Sequence, residues 1–145
     1  MPEDPSIDPM TLSREALIAA HIIHTFDRKR VLSNLHGCYG QIMRSVYARL
    51  LSLVDGKRIL DCGCGFGQFA RTAIDAGYDV TPIDIDEDSL AIARDVYNVP
   101  CLRVSAYETS LQDGSCDTAV CNDSISIWIF SGLRRSSPAS ACVVS

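Results

Sequence analysis

The chain has 145 residues, 47% of them hydrophobic and 21% charged, with a formal net charge of −5. That is enough chain for one globular domain with a real core. The acidic balance, in which Arg28-Lys29-Arg30 is the one dense basic run, argues against a nucleic-acid partner, and no apolar run reaches the ~18 residues of a membrane span.

The opening "MPEDPSIDPM" has neither the basic nor the apolar region of an export signal, so a cytoplasmic protein without membrane contact is expected. The seven cysteines are odd in number and lack framework spacing, which reads as reduced thiols. Cys62-x-Cys64 is not the usual C-x2-C pair, and no metal site is expected.

Residues 1–12 read as a disordered lead-in. Residues 13–27 read as a helix capped by Ser13, with Leu17, Ile18, His21 and Ile22 on one face and His21 and His24 as a helix-face pair. Residues 40–53 read as a second amphipathic helix with Ile42, Met43, Val46 and Leu50 inward, stopped by Asp55-Gly56. Residues 13–55 thus form an N-terminal helical region.

Strands and helices then alternate. "KRIL" is a short strand, and Phe66, Phe69, Ala70, Ala73 and Ile74 make a helical stripe that stops at Gly77. "DVTPID" is a strand ending at Asp84. Asp86, Glu87, Asp88 and Ser89 crowd the first turn of a helix running to about Tyr97, where carboxylates suit the dipole. "CLRV" and "DTAVCN" are further strands, joined by a loop over 106–116 with an Asp113-Gly114 turn. This order predicts an α/β fold: a doubly wound, mostly parallel sheet with N-terminal helices. Residues 124–145 break the pattern. "SISIWIF" has the period of a strand where a helix is due, and "SGLRRSSPASACVVS" suggests a truncated or frame-altered end.

The chemistry points to "RILDCGCGFGQFA". Gly63, Gly65 and Gly67 follow the first strand, where a ligand meets the end of a parallel sheet and a missing Cβ lets backbone approach it. A dinucleotide loop wants a glycine at the sixth place, which is Gln68 here, and the Asp61 carboxylate would oppose a pyrophosphate. A ligand carrying positive charge and no phosphate suits it better, and S-adenosylmethionine is such a ligand. Asp84 can accept hydrogen bonds from both ribose hydroxyls of any adenosine cofactor. A tight turn with no ligand remains the bland alternative.

"ILDCGCGFGQFARTAIDAGYDVTPIDIDEDSLAIAR" resembles the opening of a class I S-adenosylmethionine-dependent methyltransferase, of the type 11 or ubiquinone-biosynthesis-like kind. "LQDGSCDTAVCND" is similar to the segment leading into that family's fourth strand, and the resemblance covers residues 56–123. It implies a Rossmann-like fold and S-adenosyl-L-methionine as cofactor. It also implies that Asp61, Gly63, Cys64, Gly65 and Gly67 form the loop around the methionine part. Asp84 would hold the ribose, Ile85 would pack on adenine, and Asn122 would lie near the methionine. Ser105-Ala106 stands where the family often has an acid for the adenine amino group.

The family's sheet has seven strands and this chain supplies four, so the sheet is expected to be incomplete at the C-terminus. The fourth strand would become an apolar edge inviting self-association, unless "SISIWIF" covers it. The reaction implied is direct methyl displacement to a small-molecule acceptor, with no residue named as base. Tyr39, Tyr47 and His36 belong to a region that commonly lids the site, and they read as packing or surface residues. Asp123 reads as a cap or loop residue. The rival functions are a nicotinamide-dependent oxidoreductase and a non-catalytic, partner-dependent binding module of the same fold.

Overall fold

The computed structural model describes residues 8–105, 114–122 and 127–131, with backbone alone for 122 and 127–131. Part of the expected disordered lead-in is a 3₁₀ turn, Pro9–Thr11, capped by Asp8, and three α-helices follow: α1 (Arg14–Ala19), α2 (Arg28–His36) and α3 (Cys38–Leu51). Then follow β1 (Arg58–Cys62), α4 (Gln68–Asp75), β2 (Asp79–Asp84), α5 (Glu87–Tyr97), β3 (Leu102–Arg103), β4 (Thr118–Asn122) and β5 (Ile127–Ser131).

The strands form one sheet in the order β3-β2-β1-β4-β5. β1, β2, β3 and β4 run parallel. Strand order reverses at β1, which has β2 on one side and β4 on the other, and such a switch point opens a crevice beyond the strand ends. Both faces of β1 are buried, as a parallel sheet requires. Ile59 packs with Tyr47, Phe69, Ala73 and Val120, on the side that α3 and α4 cover. Leu60 and Cys62 pack with Ile83, Ala119 and Cys121. A third cluster, including Ala70, Leu90, Ala93 and Val99, joins α4 to α5.

The sheet and its alternation match the expected fold. β5 pairs antiparallel with β4, from Thr118 opposite Ser131 to Asn122 opposite Ile127. Ile127–Ser131 therefore covers the fourth strand's edge, and residues 123–126 lie outside the described residues.

The N-terminal helices differ from expectation. Ser13 caps α1 as predicted, but the helix stops at Ala19. His21 has a φ of 56°, so His21 and His24 do not share a helix face. The N–H groups of Ile22 and Ile23 both turn back to the Leu17 carbonyl, and this swings Ile23 into the core. α2 was not foreseen. Its cap is Asp27, whose side chain accepts from the Lys29 and Arg30 N–H groups. α3 begins at Cys38 and is rotated from the predicted face. Gly40, Tyr47 and Leu51 are buried, whereas Ile42 is 59% and Val46 39% exposed. The Tyr47 ring meets Phe69 edge-on at 5.6 Å, and that contact sets the rotation.

The predicted lead-in through residue 7, the loop 106–113, Asp123 and residues 132–145 lie outside the described residues.

Candidate functional site

β1 delivers Asp61 to the switch point, and the chain then turns through Gly63, Gly65 and Gly67 at φ 68°, 54° and 83°. Three left-handed residues in alternation coil the loop tightly, a conformation that L side chains rarely adopt. The loop is laced to β2. The Cys64 N–H donates to the Ile83 carbonyl at 2.9 Å, and the Gly67 N–H to the Cys64 carbonyl at 3.0 Å. The Gly65 N–H donates to Asp84 Oδ2 at 2.8 Å.

The glycines have different duties. A Cβ on Gly65 would meet nothing within 4 Å, so this is the open side of the loop, where a ligand can approach the backbone. A Cβ on Gly67 would lie 2.8 Å from the Ala93 Cβ, so that glycine serves the approach of α5. Cys64 turns its side chain into the core between α4 and α5, and its backbone polar groups are taken by Ile83 of β2 and by Gly67.

Asp84 keeps capacity for a ligand. Its Oδ1 accepts from the Asp86 N–H at 3.0 Å and its Oδ2 from Gly65. A carboxylate offers about four lone pairs, so acceptor capacity is left beside these backbone donors. Burial raises the Asp84 carboxyl, while the N–H groups of Asp86, Gly65 and Ile85 oppose the rise.

Asp61 is 0% exposed, and among the described residues neither of its carboxyl oxygens has a hydrogen-bond partner. Burial pushes this group up to about 8, and the neighbouring Asp84 adds to the rise. Burial likewise pushes the Cys64 thiol up, with Asp61 and Asp84 contributing.

Ile85 begins the turn into α5. It lines a cavity of about 310 Å³ together with Arg14, Leu17, Ile23, Asp86 and Arg103. The Arg103 Nε donates to the Ile85 carbonyl at 3.0 Å. Ser105 is buried just beyond β3, and Asn122 closes β4. Ala106 lies outside the described residues.

The N-terminal segment crosses this corner like a strap. Arg14 pairs with Asp86, and with Asp88 at 3.1 Å. Phe26 meets Phe66, inside the glycine loop, edge-on at 5.2 Å. Arg28 pairs with Asp95 at 2.9 Å. The sequence reading missed Arg14, Phe26 and Arg103. The crowded acids at the start of α5 called for a cation, but nothing local shows that it comes from 72 residues upstream. Of the lid candidates, Tyr47 is core, while Tyr39 and His36 are exposed.

The arrangement suits a ligand with a positive end and a hydroxyl-bearing end. A cationic N–H donor would satisfy the orphaned Asp61 oxygens, and hydroxyls would satisfy the spare lone pairs of Asp84. The open side of Gly65 leaves room for a ligand beside the loop.

Comparison with known proteins bears on this site. A family model described as "Methyltransferase domain" matches residues 59–135, just over half of the chain. A malonyl-[acyl-carrier protein] O-methyltransferase of Pectobacterium atrosepticum is 40% identical over 65 residues, covering 41% of this chain and 26% of that protein. A ubiquinone biosynthesis O-methyltransferase of Bordetella avium is 49% identical over 45 residues, 31% of this chain and 19% of that protein. The matched segments thus span only about a quarter or less of these relatives. Among solved structures, the PH0226 protein of Pyrococcus horikoshii OT3 superposes with a TM-score of 0.55 at 24% identity, covering 66% of this chain and 50% of that one. A SAM dependent methyltransferase of Archaeoglobus fulgidus gives 0.51 at 24% identity, covering 64% and 42%. These two likenesses concern the fold.

Proposed function

The chain belongs to the methyltransferase domain family, and from that premise we propose that it binds S-adenosyl-L-methionine at the Asp61–Gly67 loop and serves methyl transfer to a small-molecule acceptor. The observation that carries the reading is Asp61, a buried carboxyl with two unpartnered oxygens beside a glycine loop. A phosphate-bearing dinucleotide brings no cation to pair with this carboxyl, whereas a cationic amino-acid tail does.

The chain's residues divide the work. Asp61 and the open edge at Gly65 hold the methionine part, with Gly63 shaping the turn. Asp84 takes the ribose hydroxyls, and Ile85 offers an apolar face to the base. The bound cofactor supplies a methyl group already activated on a sulfonium. What remains for the protein is to align the acceptor and exclude water. The strap from Arg14 to Arg28 supports the second task, because it lies against both the β2–α5 corner and the loop. The named activities of the relatives support an oxygen acceptor on a small or carrier-bound molecule.

One observation favours a second reading. β5 returns antiparallel, so among the described residues no parallel strand extends the sheet beyond β4. A chain of this kind that binds the cofactor but needs a partner for transfer is consistent with that.

The test is a calorimetric titration with S-adenosylhomocysteine. Micromolar binding is expected, weakened at least about tenfold in Asp84→Ala, since a charge-accepted hydrogen-bond pair contributes about 1.5–3 kcal/mol. Absence of binding by a folded protein would overturn the proposal.

A further inference from the structure

We propose that Asp61 is the charge-selecting residue of this site: its buried carboxyl holds a proton in the ligand-free protein and surrenders it to solvent when a ligand sets a positive charge against it. The proposal rests on the cofactor reading above and adds a proton to it.

The geometry carries the argument. Asp61 sits mid-sheet, in register with Pro82 on one side and Val120 on the other. Proline has no N–H to offer, and the Val120 side chain is apolar. Among the described residues, neither carboxyl oxygen finds a hydrogen-bond partner. Among the described residues, no ion pair reaches Asp61.

Among the described residues, the groups that act on Asp61 give it no positive charge to pair with. β2 contributes Asp84, a like charge, and the glycine loop contributes the Cys64 thiol.

Asp84 adds to the rise at Asp61, and a buried carboxyl beside a like charge gives up its proton reluctantly. Asp84 has backbone donors to stabilise its charge, and Asp61 has none. The proton therefore resides on Asp61. Its raised affinity for that proton agrees with the geometry.

A ligand bearing an ammonium or sulfonium reverses the balance, because an opposite charge at close range favours the ionised carboxylate. A neutral adenosine ligand without the amino-acid tail cannot do so. Asp61 thereby selects ligands by charge, and binding becomes proton-linked.

The experiment is titration calorimetry from about pH 6 to pH 9, in buffers of different ionisation enthalpy. The probes are S-adenosylmethionine, S-adenosylhomocysteine and the tail-less, neutral methylthioadenosine. For the first two, release approaching one proton per ligand is expected at about pH 6–7. Affinity should rise by up to about tenfold per pH unit until about pH 8 and then level. Methylthioadenosine should release no proton and show a flat profile. In Asp61→Asn, the proton release at about pH 6–7 should vanish for the two tailed ligands; the ligands' own α-amino group titrates only above that range, at about 8. Retained methylthioadenosine binding shows that the variant is folded.

Binding of S-adenosylhomocysteine without proton release overturns this inference and leaves the cofactor site standing. Equal release in Asp61→Asn likewise excludes Asp61 as the source. A folded protein that binds none of the three overturns the cofactor reading and this inference together.

Discussion

Asp61 costs the fold something that depends on pH. Its carboxyl, raised to about 8 in the folded chain, titrates near 4 when unfolded. Between those values the folded chain keeps a proton that the unfolded chain has released. This contribution to stability is fully present below about pH 4 and is lost as pH rises toward 8. Thermal scans of the ligand-free protein should show Asp61→Asn gaining on the parent as pH climbs from about 5 to 8. A constant difference would refute the assignment. Gly67 makes a different demand. Alanine there must adopt a φ of 83° and push against Ala93 at 2.8 Å, so Gly67→Ala should lose on the order of 1–3 kcal/mol in urea unfolding. At this scale the sequence placed Asp61 and Asp84 at strand ends and Gly65 in the turn after β1, because strand-end position and charge sign are local properties. It was not legible for Gly67 and Cys64. Their duties depend on where α5 lands, and nothing beside them in the chain encodes that.

The strap is the element whose removal should matter most for the site. Phe26 contacts Phe66 in the loop, and Arg14 and Arg28 fasten the segment on either side. Exposed ion pairs contribute little individually, so the aromatic contact is the stronger tie. Phe26→Ala should speed limited proteolysis between residues 20 and 28 and weaken S-adenosylhomocysteine binding by less than about tenfold. An aromatic pair is worth about 0.5–1.5 kcal/mol beyond its area. If cleavage in the variant matches the parent, the segment is not held through Phe26. The βα units were readable because hydrophobic period and capping acids agreed there. α2 was not, because a run of arginine and lysine in a first turn opposes the helix dipole and looks like surface loop. The face of α3 was misread by one row. Its apolar residues spread over a wide arc, and only Tyr47 against Phe69 decides which part of that arc is covered.

Across the whole molecule, the two halves of the sheet meet at one clasp. Asp117, just before β4, accepts from the N–H groups of Lys57 and Arg58, both at 3.0 Å, and pairs with the Arg58 guanidinium at 2.8 Å. The Arg58 partnership holds the Asp117 carboxyl well below the usual carboxylate range. Its stabilisation is therefore present above about pH 4 and lost as the pH falls through its folded-state value. Asp117→Asn should show a smaller loss of urea stability between about pH 6 and pH 3 than the parent does. An unchanged loss would place the acid sensitivity elsewhere.

The clasp joins positions 60 residues apart, and β1 lies between β2 and β4. On the ribosome, chain emerges at ~5–20 residues per second. The central strand therefore waits on the order of seconds with one edge paired to β2 and the other bare. Only when β4 is out can that edge close, and the short return into β5 lets β4 arrive with its own far edge already occupied. The antiparallel ending thus gives a nascent chain a local step, formed in microseconds, at the moment when its exposed strand is most open to a neighbour's.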